Sequence, residues 1–193
     1  MELGSIPRGG TTKYLMYIYR YFDIDNLDLI QHQVKEYILH NTDVTEKKIF
    51  WKFLDTESLL RSVPELSLHF KKFDLRITTA AAIYRQPRSQ GGIHVDTSDF
   101  FRVLVPVLNC QGSRTKFFEF DDSKFRAGGG VDGDRNLTLI PGQHLNFIDE
   151  FELSKPVIFN PKIPHGVYCD PLCSGPRISL TLGFDKDPKN ILT

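Results

Sequence analysis

Apolar side chains recur at helical spacing near the start of the chain. Leu27, Ile30, Val34, Tyr37 and Ile38 lie three or four residues apart. This spacing places them in one stripe and predicts a helix over residues 27–39, with Asp25 or Asn26 as its cap. A second helical stretch is expected over residues 56–68, where Pro64 interrupts the pattern.

From residue 75 onward the pattern changes to short β-branched and aromatic runs separated by Gly, Pro, Asn and Asp. The runs cover residues 75–84, 101–108, 115–120, 157–160, 166–169 and 178–184. Many short strands in succession are typical of an antiparallel barrel or jelly roll. We therefore expect a mainly β protein with N-terminal helices, folded as one domain. Residues 1–74 would form a mainly helical support, residues 75–184 the barrel and residues 185–193 a C-terminal tail.

Composition narrows the classes of partner. The chain has 193 residues, with 24 Lys and Arg against 24 Asp and Glu, so there is no overall charge to attract nucleic acid or an anionic membrane. Cys110, Cys169 and Cys173 form no CxxC pair, which argues against a disulfide framework and a structural zinc site. The first ten residues lack the apolar run of a signal peptide, and no segment resembles a membrane span. We expect a soluble, cytoplasmic protein of unknown oligomeric state.

Residues 121–134 differ from the rest of the chain. Gly128, Gly129, Gly130 and Gly133 lie there among charged residues, with almost nothing apolar. Such a stretch is expected to be a lid, a binding loop or a disordered segment.

A His-x-Asp pair is the strongest chemical signal. In an extended strand His94 and Asp96 project from the same face, so an imidazole and a carboxylate can bind one metal ion. Such a pair can arise by chance, but this one follows Gly91 and Gly92 and precedes an apolar strand. His165, after Pro164 at the head of another strand, would complete a triad of two nitrogens and one oxygen, which favours Fe(II).

The other histidines carry less weight as ligands. They are His32, His40, His69 and His144. Helical surface, loop or satisfied core positions are the simpler interpretation for all four.

Arg177 and Ser179 form the next signal, at the start of an apolar strand twelve positions after His165. The two share a strand face. An arginine inside an apolar barrel is costly unless a carboxylate pairs with it, and its forked donors suit a dicarboxylic ligand. The alternative is an arginine at a strand edge that reaches water.

Taken together, His94-x-Asp96, His165 and Arg177-x-Ser179 resemble the signature of the 2-oxoglutarate/Fe(II)-dependent oxygenases over residues 75–184. The resemblance implies a cupin-like double-stranded β-helix. It also implies Fe(II) on His94, Asp96 and His165, and the C5 carboxylate of 2-oxoglutarate on Arg177 and Ser179. The remaining carboxylate and the oxo group would bind the iron.

The resemblance extends to the segment that begins with Arg102. In branches of the superfamily that include aspartyl/asparaginyl hydroxylase-like enzymes, an arginine soon after the first histidine helps to hold the cosubstrate, which makes Arg102 a candidate. An outward-facing strand residue is the alternative. Those hydroxylases lack the ligand that Asp96 supplies here, so their substrate is not carried over. Tyr84 could donate its phenol to the cosubstrate, or could simply pack at the rim.

The resemblance implies a dioxygenase that uses O₂ and releases succinate and CO₂, with hydroxylation as the default outcome and ascorbate as a possible reductant. The substrate could be a peptide or protein side chain or a small molecule such as an amino acid, and the open barrel mouth slightly favours the peptide. Neutral charge argues mildly against nucleic acid. Two other functions stay open: a cupin that binds metal or ligand without turnover, and an Fe(II) dioxygenase that does not use 2-oxoglutarate.

Overall fold

The protein was analysed as a computed structural model. The structure describes residues 18–42, 49–96, 100–120, 137–139, 145–170 and 175–192. The glycine-rich segment over residues 121–134, His144 and Cys173 lie outside these ranges.

The N-terminal part forms three helices and two strands. They are β1 (Tyr19–Tyr21), α1 (Leu27–Asn41), β2 (Ile49–Phe53), α2 (Thr56–Ser62) and α3 (Pro64–Lys71). Helix α1 buries the predicted stripe, but its cap residue Asn26 has a left-handed backbone and makes no capping bond with its side chain. Pro64 does not kink one helix; it begins α3, where its missing N–H costs nothing.

The rest of the chain consists of short strands. They are β3 (Ile77–Arg85), β4 (His94–Asp96), β5 (Arg102–Leu108), β6 (Ser113–Phe120), β7 (Leu137–Leu139), β8 (Leu145–Glu152), β9 (Val157–Phe159), β10 (His165–Cys169) and β11 (Arg177–Phe184). A 3-10 turn follows over Pro188–Leu192. The six runs expected from the sequence all become strands, whereas β1, β2, β7 and β8 were not predicted.

The strands form two antiparallel sheets that face each other. The larger sheet has the order β1-β9-β5-β11-β3-β2 and the smaller has the order β7-β4-β10-β6-β8. We call them the major and the minor sheet. This arrangement is consistent with the expected double-stranded β-helix, and the prediction of a mainly β fold with N-terminal helices is confirmed.

Alternate residues of the major sheet enter two separate apolar clusters. On one face Ala82, Val103 and Leu180 pack with residues of the three helices. On the other face Leu104 packs with Phe117 and other residues of the minor sheet. Residues of the major sheet that pack with the minor sheet, such as Leu104, therefore point into the barrel. Among the described residues, no helix is both long enough and apolar enough to cross a membrane.

Candidate metal centre and cosubstrate pocket

The two strands β4 and β10 bring the three predicted ligands together. They are neighbours in the minor sheet, and His94 pairs directly with His165. The two imidazole ring centres are 4.4 Å apart. One ligand atom from each of His94, Asp96 and His165 lies within 4.8 Å of the other two. The triad is close enough to bind a single metal ion.

Backbone carbonyl groups fix the orientation of both imidazoles. The Nδ1 atom of His94 lies 2.9 Å from the oxygen of Gly92, and the Nδ1 atom of His165 lies 2.8 Å from the oxygen of Ile163. A carbonyl oxygen only accepts a hydrogen bond, so each Nδ1 carries the proton. Each Nε2 therefore keeps its lone pair for a metal, in the usual arrangement of a ligating histidine.

Burial keeps His165 in the form that a metal needs. Its side chain is 4% exposed. Burial, aided by the electrostatic interaction with His94, lowers the pKa of His165 to about 3. At neutral pH this imidazole is uncharged and can donate its lone pair.

The third ligand, Asp96, lies between a histidine and an arginine. Its Oδ1 atom is 3.6 Å from the Nε2 atom of His94, and its Oδ2 atom is 3.7 Å from the Nε atom of Arg102. Burial raises the pKa of the Asp96 carboxyl above its usual value, and electrostatic interactions with His94, Arg102 and Lys162 oppose that rise. A bound dication would favour the carboxylate further. Two imidazole nitrogens and one buried carboxylate are the donor set that suits Fe(II).

Arg177 lies deep inside the barrel. It is 1% exposed and is the largest fully buried side chain in the described part of the protein. Its Nε and Nη1 atoms have no hydrogen-bond partner among the described residues, and neither has the hydroxyl of the buried Ser179. Their neighbours Ile178 and Leu180 belong to the helix-facing cluster, so Arg177 and Ser179 point into the barrel. Unpartnered donors in this position suit an anionic ligand.

Arg102 also points into the barrel, because Val103 belongs to the helix-facing cluster and Leu104 to the barrel cluster. Its guanidinium lies beside Asp96, and a Cβ atom added to Gly183 would be 3.0 Å from its Nη1 atom. Strand β11 runs from Arg177 to Gly183 on this face, so Arg102 lies at the opposite end of that strand from Arg177. The structure thus places Arg102 next to a metal ligand.

Tyr84 is not brought to the site. It belongs to the helix-facing cluster with Ala82 and Ile178, and its hydroxyl accepts a hydrogen bond of 2.8 Å from Nε2 of Gln86. Side chains alternate along β3, so Tyr84 and the barrel interior are on opposite sides of the sheet. We do not carry Tyr84 into the proposed site.

Two residues that sequence reasoning missed lie on the barrel-facing side. Arg85 ends β3 and is 9% exposed. Trp51 of β2 pairs with Ile83 of β3, and Ile83 packs against the barrel cluster. The only sequence signal for Arg85 is the alternation of side chains along β3. Because Arg85 directly follows Tyr84, the two side chains lie on opposite faces of the sheet.

Comparisons with known proteins support the fold. The search of family models and the search of curated proteins each return no match. Among solved structures, the chain is similar to the non-haem α-ketoglutarate-dependent carbocyclase SnoK from nogalamycin biosynthesis. The identity is 10%, the match covers 86% of this chain and 79% of SnoK, and the TM-score is 0.53.

Two further solved structures are similar. The epimerase SnoN, in complex with Fe³⁺, α-ketoglutarate and nogalamycin RO, is 10% identical, with 86% of this chain and 77% of SnoN covered and a TM-score of 0.55. HygX from Streptomyces hygroscopicus, with nickel, 2-oxoglutarate and hygromycin B bound, is 13% identical, with 86% and 82% covered and a TM-score of 0.50.

The expected resemblance to the 2-oxoglutarate/Fe(II)-dependent oxygenases is thus confirmed in the fold and in the presence of a His-Asp-His triad. The triad provides a donor set that suits the expected Fe(II). At these identities the likeness concerns the fold, and the reaction is a separate question.

Proposed function

We propose that this protein is an Fe(II)- and 2-oxoglutarate-dependent dioxygenase that oxidises a small molecule or a peptide side chain, with release of succinate and CO₂. The observation that carries the proposal is the combination of a His-Asp-His triad with the unpartnered, buried Arg177 inside the same barrel. A cupin that binds only a metal has no need for a buried, unpartnered arginine inside the barrel.

Each residue of the proposed site has a distinct task. The Nε2 atoms of His94 and His165 and a carboxylate oxygen of Asp96 would hold the metal. Arg177, with Ser179, would hold the C5 carboxylate of 2-oxoglutarate. Arg102 would keep the Asp96 carboxylate charged and oriented, a role that differs from the direct cosubstrate contact expected from the sequence.

The cofactors would supply the oxidising chemistry, through oxidative decarboxylation of 2-oxoglutarate and hydroxylation of the substrate by O₂. The protein contributes ligand geometry and an interior in which Asp96, His165 and Arg177 are buried. Phe117 and Phe159 pack against His165, with ring centres 6.0 and 5.1 Å from the imidazole. These aromatic rings shield one side of the centre from solvent.

Two classes of substrate, small molecules and peptide side chains, fit the proposed site. SnoN and HygX were solved with small molecules bound, which supports a small-molecule substrate at least as well as a peptide. Stimulation of 2-oxoglutarate turnover by amino acids, by short peptides and by larger natural products would separate these classes.

The central experiment measures succinate formed from 2-oxoglutarate under air, with Fe(II) and ascorbate present. Wild-type protein should form succinate, and His94→Ala should abolish it because the metal loses a ligand. His32→Ala, which changes an exposed histidine of α1, should leave the rate unchanged. Wild-type protein that binds neither Fe(II) nor 2-oxoglutarate would contradict the proposal.

A further inference from the structure

Two aromatic residues continue the barrel-facing side of the major sheet to its edge, which is strand β2. Trp51 pairs with Ile83, which packs against the barrel cluster. Phe53 is two residues further along β2, so both rings lie on the side of the sheet that lines the barrel. Their ring centres are 6.3 Å apart and their planes are tilted by 46°. We call this pair the aromatic shelf.

The aromatic shelf combines an exposed ring with a buried donor. The side chain of Phe53 is 62% exposed. The Nε1 atom of Trp51, by contrast, is buried and has no hydrogen-bond partner among the described residues. A buried tryptophan N–H usually has a partner, and an unpaired one is unfavourable. A ligand that covers Phe53 and presents an acceptor to Trp51 would satisfy both groups.

The strand register places the aromatic shelf beside the residues assigned to the cosubstrate. Ile83 pairs with Trp51 on one side and with Ser179 on the other. Trp51 and Ser179 therefore lie in one row across the sheet, two strand spacings or about 10 Å apart. Phe53 lies in the next row, which continues to Thr181. Both rows belong to the barrel interior.

Along β11, the aromatic shelf is level with the middle of the proposed site. The row before that of Trp51 contains Arg177. The row after that of Phe53 contains Gly183, where an added Cβ atom would be 3.0 Å from Nη1 of Arg102. The guanidinium of Arg102 lies beside the metal ligand Asp96. A group on the shelf would thus lie level with the space between Arg177 and the metal centre.

The chemistry of the aromatic shelf indicates the class of ligand that it fits. Aromatic side chains favour other flat rings, in offset or edge-to-face contact. An indole N–H only donates a hydrogen bond, so the ligand has to present an acceptor. The one charged residue of β2, Lys52, pairs with Ala82 on the helix-facing side and donates to the backbone oxygen of Asn41. The shelf itself is therefore uncharged and suits an uncharged ligand.

We propose that the aromatic shelf binds the substrate, and that this substrate carries a flat, uncharged ring with an oxygen acceptor beside it. The inference rests on the proposed function and deepens it, because it favours a ring-containing small molecule over an aliphatic amino acid or peptide side chain. Trp51 donates its indole N–H to the oxygen, and Phe53 packs against the ring. Both are binding residues, and neither is a metal ligand.

NMR on protein loaded with Zn(II) and 2-oxoglutarate tests this with three probes. Acetophenone has a flat ring and a carbonyl, ethylbenzene lacks the carbonyl, and cyclohexyl methyl ketone lacks the flat ring. Acetophenone should bind most tightly of the three. Trp51 is the only tryptophan of the chain, so the single indole N–H signal of ¹⁵N-labelled protein should move as acetophenone is added. An unmoved indole signal, or equal affinity for the three probes, would overturn the inference.

Two variants separate the contributions of the donor and the ring. Trp51→Phe keeps a ring and loses the N–H, so it should weaken acetophenone binding by about three- to tenfold and leave ethylbenzene binding unchanged. Phe53→Ser, at an exposed position, should weaken both by about two- to tenfold. Phe147→Ser, which changes an exposed phenylalanine of the minor sheet, should alter neither. Unchanged acetophenone affinity in either folded shelf variant would contradict the proposal.

Replacement of Zn(II) by paramagnetic Mn(II) tests whether the aromatic shelf belongs to the metal site. The protons of bound acetophenone should relax faster with Mn(II), and His94→Ala, which lacks a metal ligand, should lose this difference. Acetophenone that binds but relaxes equally with both ions would overturn this inference alone, because its site would be remote from the metal. Wild-type protein that binds neither Fe(II) nor 2-oxoglutarate would instead overturn the proposed function, and the substrate assignment with it.

Discussion

The two faces of the major sheet are formed by the same strands but differ in the polarity of their side chains. The helix-facing side of β11 presents Ile178, Leu180 and Leu182, all buried in one apolar cluster. The barrel-facing side of the same strand presents Arg177, Ser179 and Thr181, all buried as well. Equal burial with opposite polarity separates the face that stabilises the fold from the face that we assign to ligand binding.

The largest effect on stability should come from the helix-facing side. Leu180→Ala removes a fully buried side chain and should lower the free energy of unfolding by about 2–5 kcal/mol. Ser179→Ala, the adjacent residue on the other face, should have an effect near zero because its hydroxyl has no partner to lose. Urea unfolding of both variants measures the difference. A Ser179→Ala variant destabilised as much as Leu180→Ala would remove the distinction between the faces.

A smaller effect is expected at Tyr84, which tests the assignment of that residue to the helix-facing side. Tyr84→Phe removes the hydrogen bond from Gln86 and should lower stability by about 0.5–1.5 kcal/mol. Affinity for 2-oxoglutarate should not change, because the phenol lies across the sheet from the pocket. Calorimetric titration of the variant checks this, and a clear loss of affinity would return Tyr84 to the site.

The sequence predicts a site residue reliably only where it also fixes which face of the strand the residue occupies. The ligand triad was predictable because His94 and Asp96 are two apart on one short strand, and their face does not depend on where the strand begins. The face of Tyr84 was not predictable in this way, because a shift of one residue in the strand moves a side chain to the other face, and the structure places Tyr84 in the helix-facing cluster. For the same reason Arg85, its neighbour, was overlooked.

The strand β8, which was not predicted, shows a second limit of strand prediction from the sequence. Its sequence contains Asp149, Glu150 and Glu152, which are rare in strands. The paired strand β6 compensates: Arg114 forms an ion pair with Glu150, and Lys116 lies 3.8 Å from the same carboxylate. Cross-strand pairs of this kind become visible only when the partner strand is known.

The smallest effect concerns the helical layer and pH. His69 of α3 is buried beside Asp25 and near Lys72, and burial lowers its pKa below the ordinary value of 6.5. The unfolded chain therefore takes up the proton first, so stability should fall as pH drops below that value, by less than about 1.4 kcal/mol per pH unit. His69→Gln should reduce this slope in urea unfolding. If the pH dependence of stability were the same in His69→Gln as in the wild type, burial of His69 would not be its cause.

The most direct measurement of the central claim is a pair of anaerobic titrations, first with Fe(II) and then with 2-oxoglutarate. One Fe(II) should bind per chain, and one 2-oxoglutarate should bind more tightly with Fe(II) than without it, because the metal and Arg177 would hold opposite ends of the same molecule. Asp96→Ala should abolish the Fe(II) step and weaken the second. Fe(II) binding that is unaffected by Asp96→Ala, or 2-oxoglutarate binding that is indifferent to Fe(II), would contradict a shared site inside the barrel.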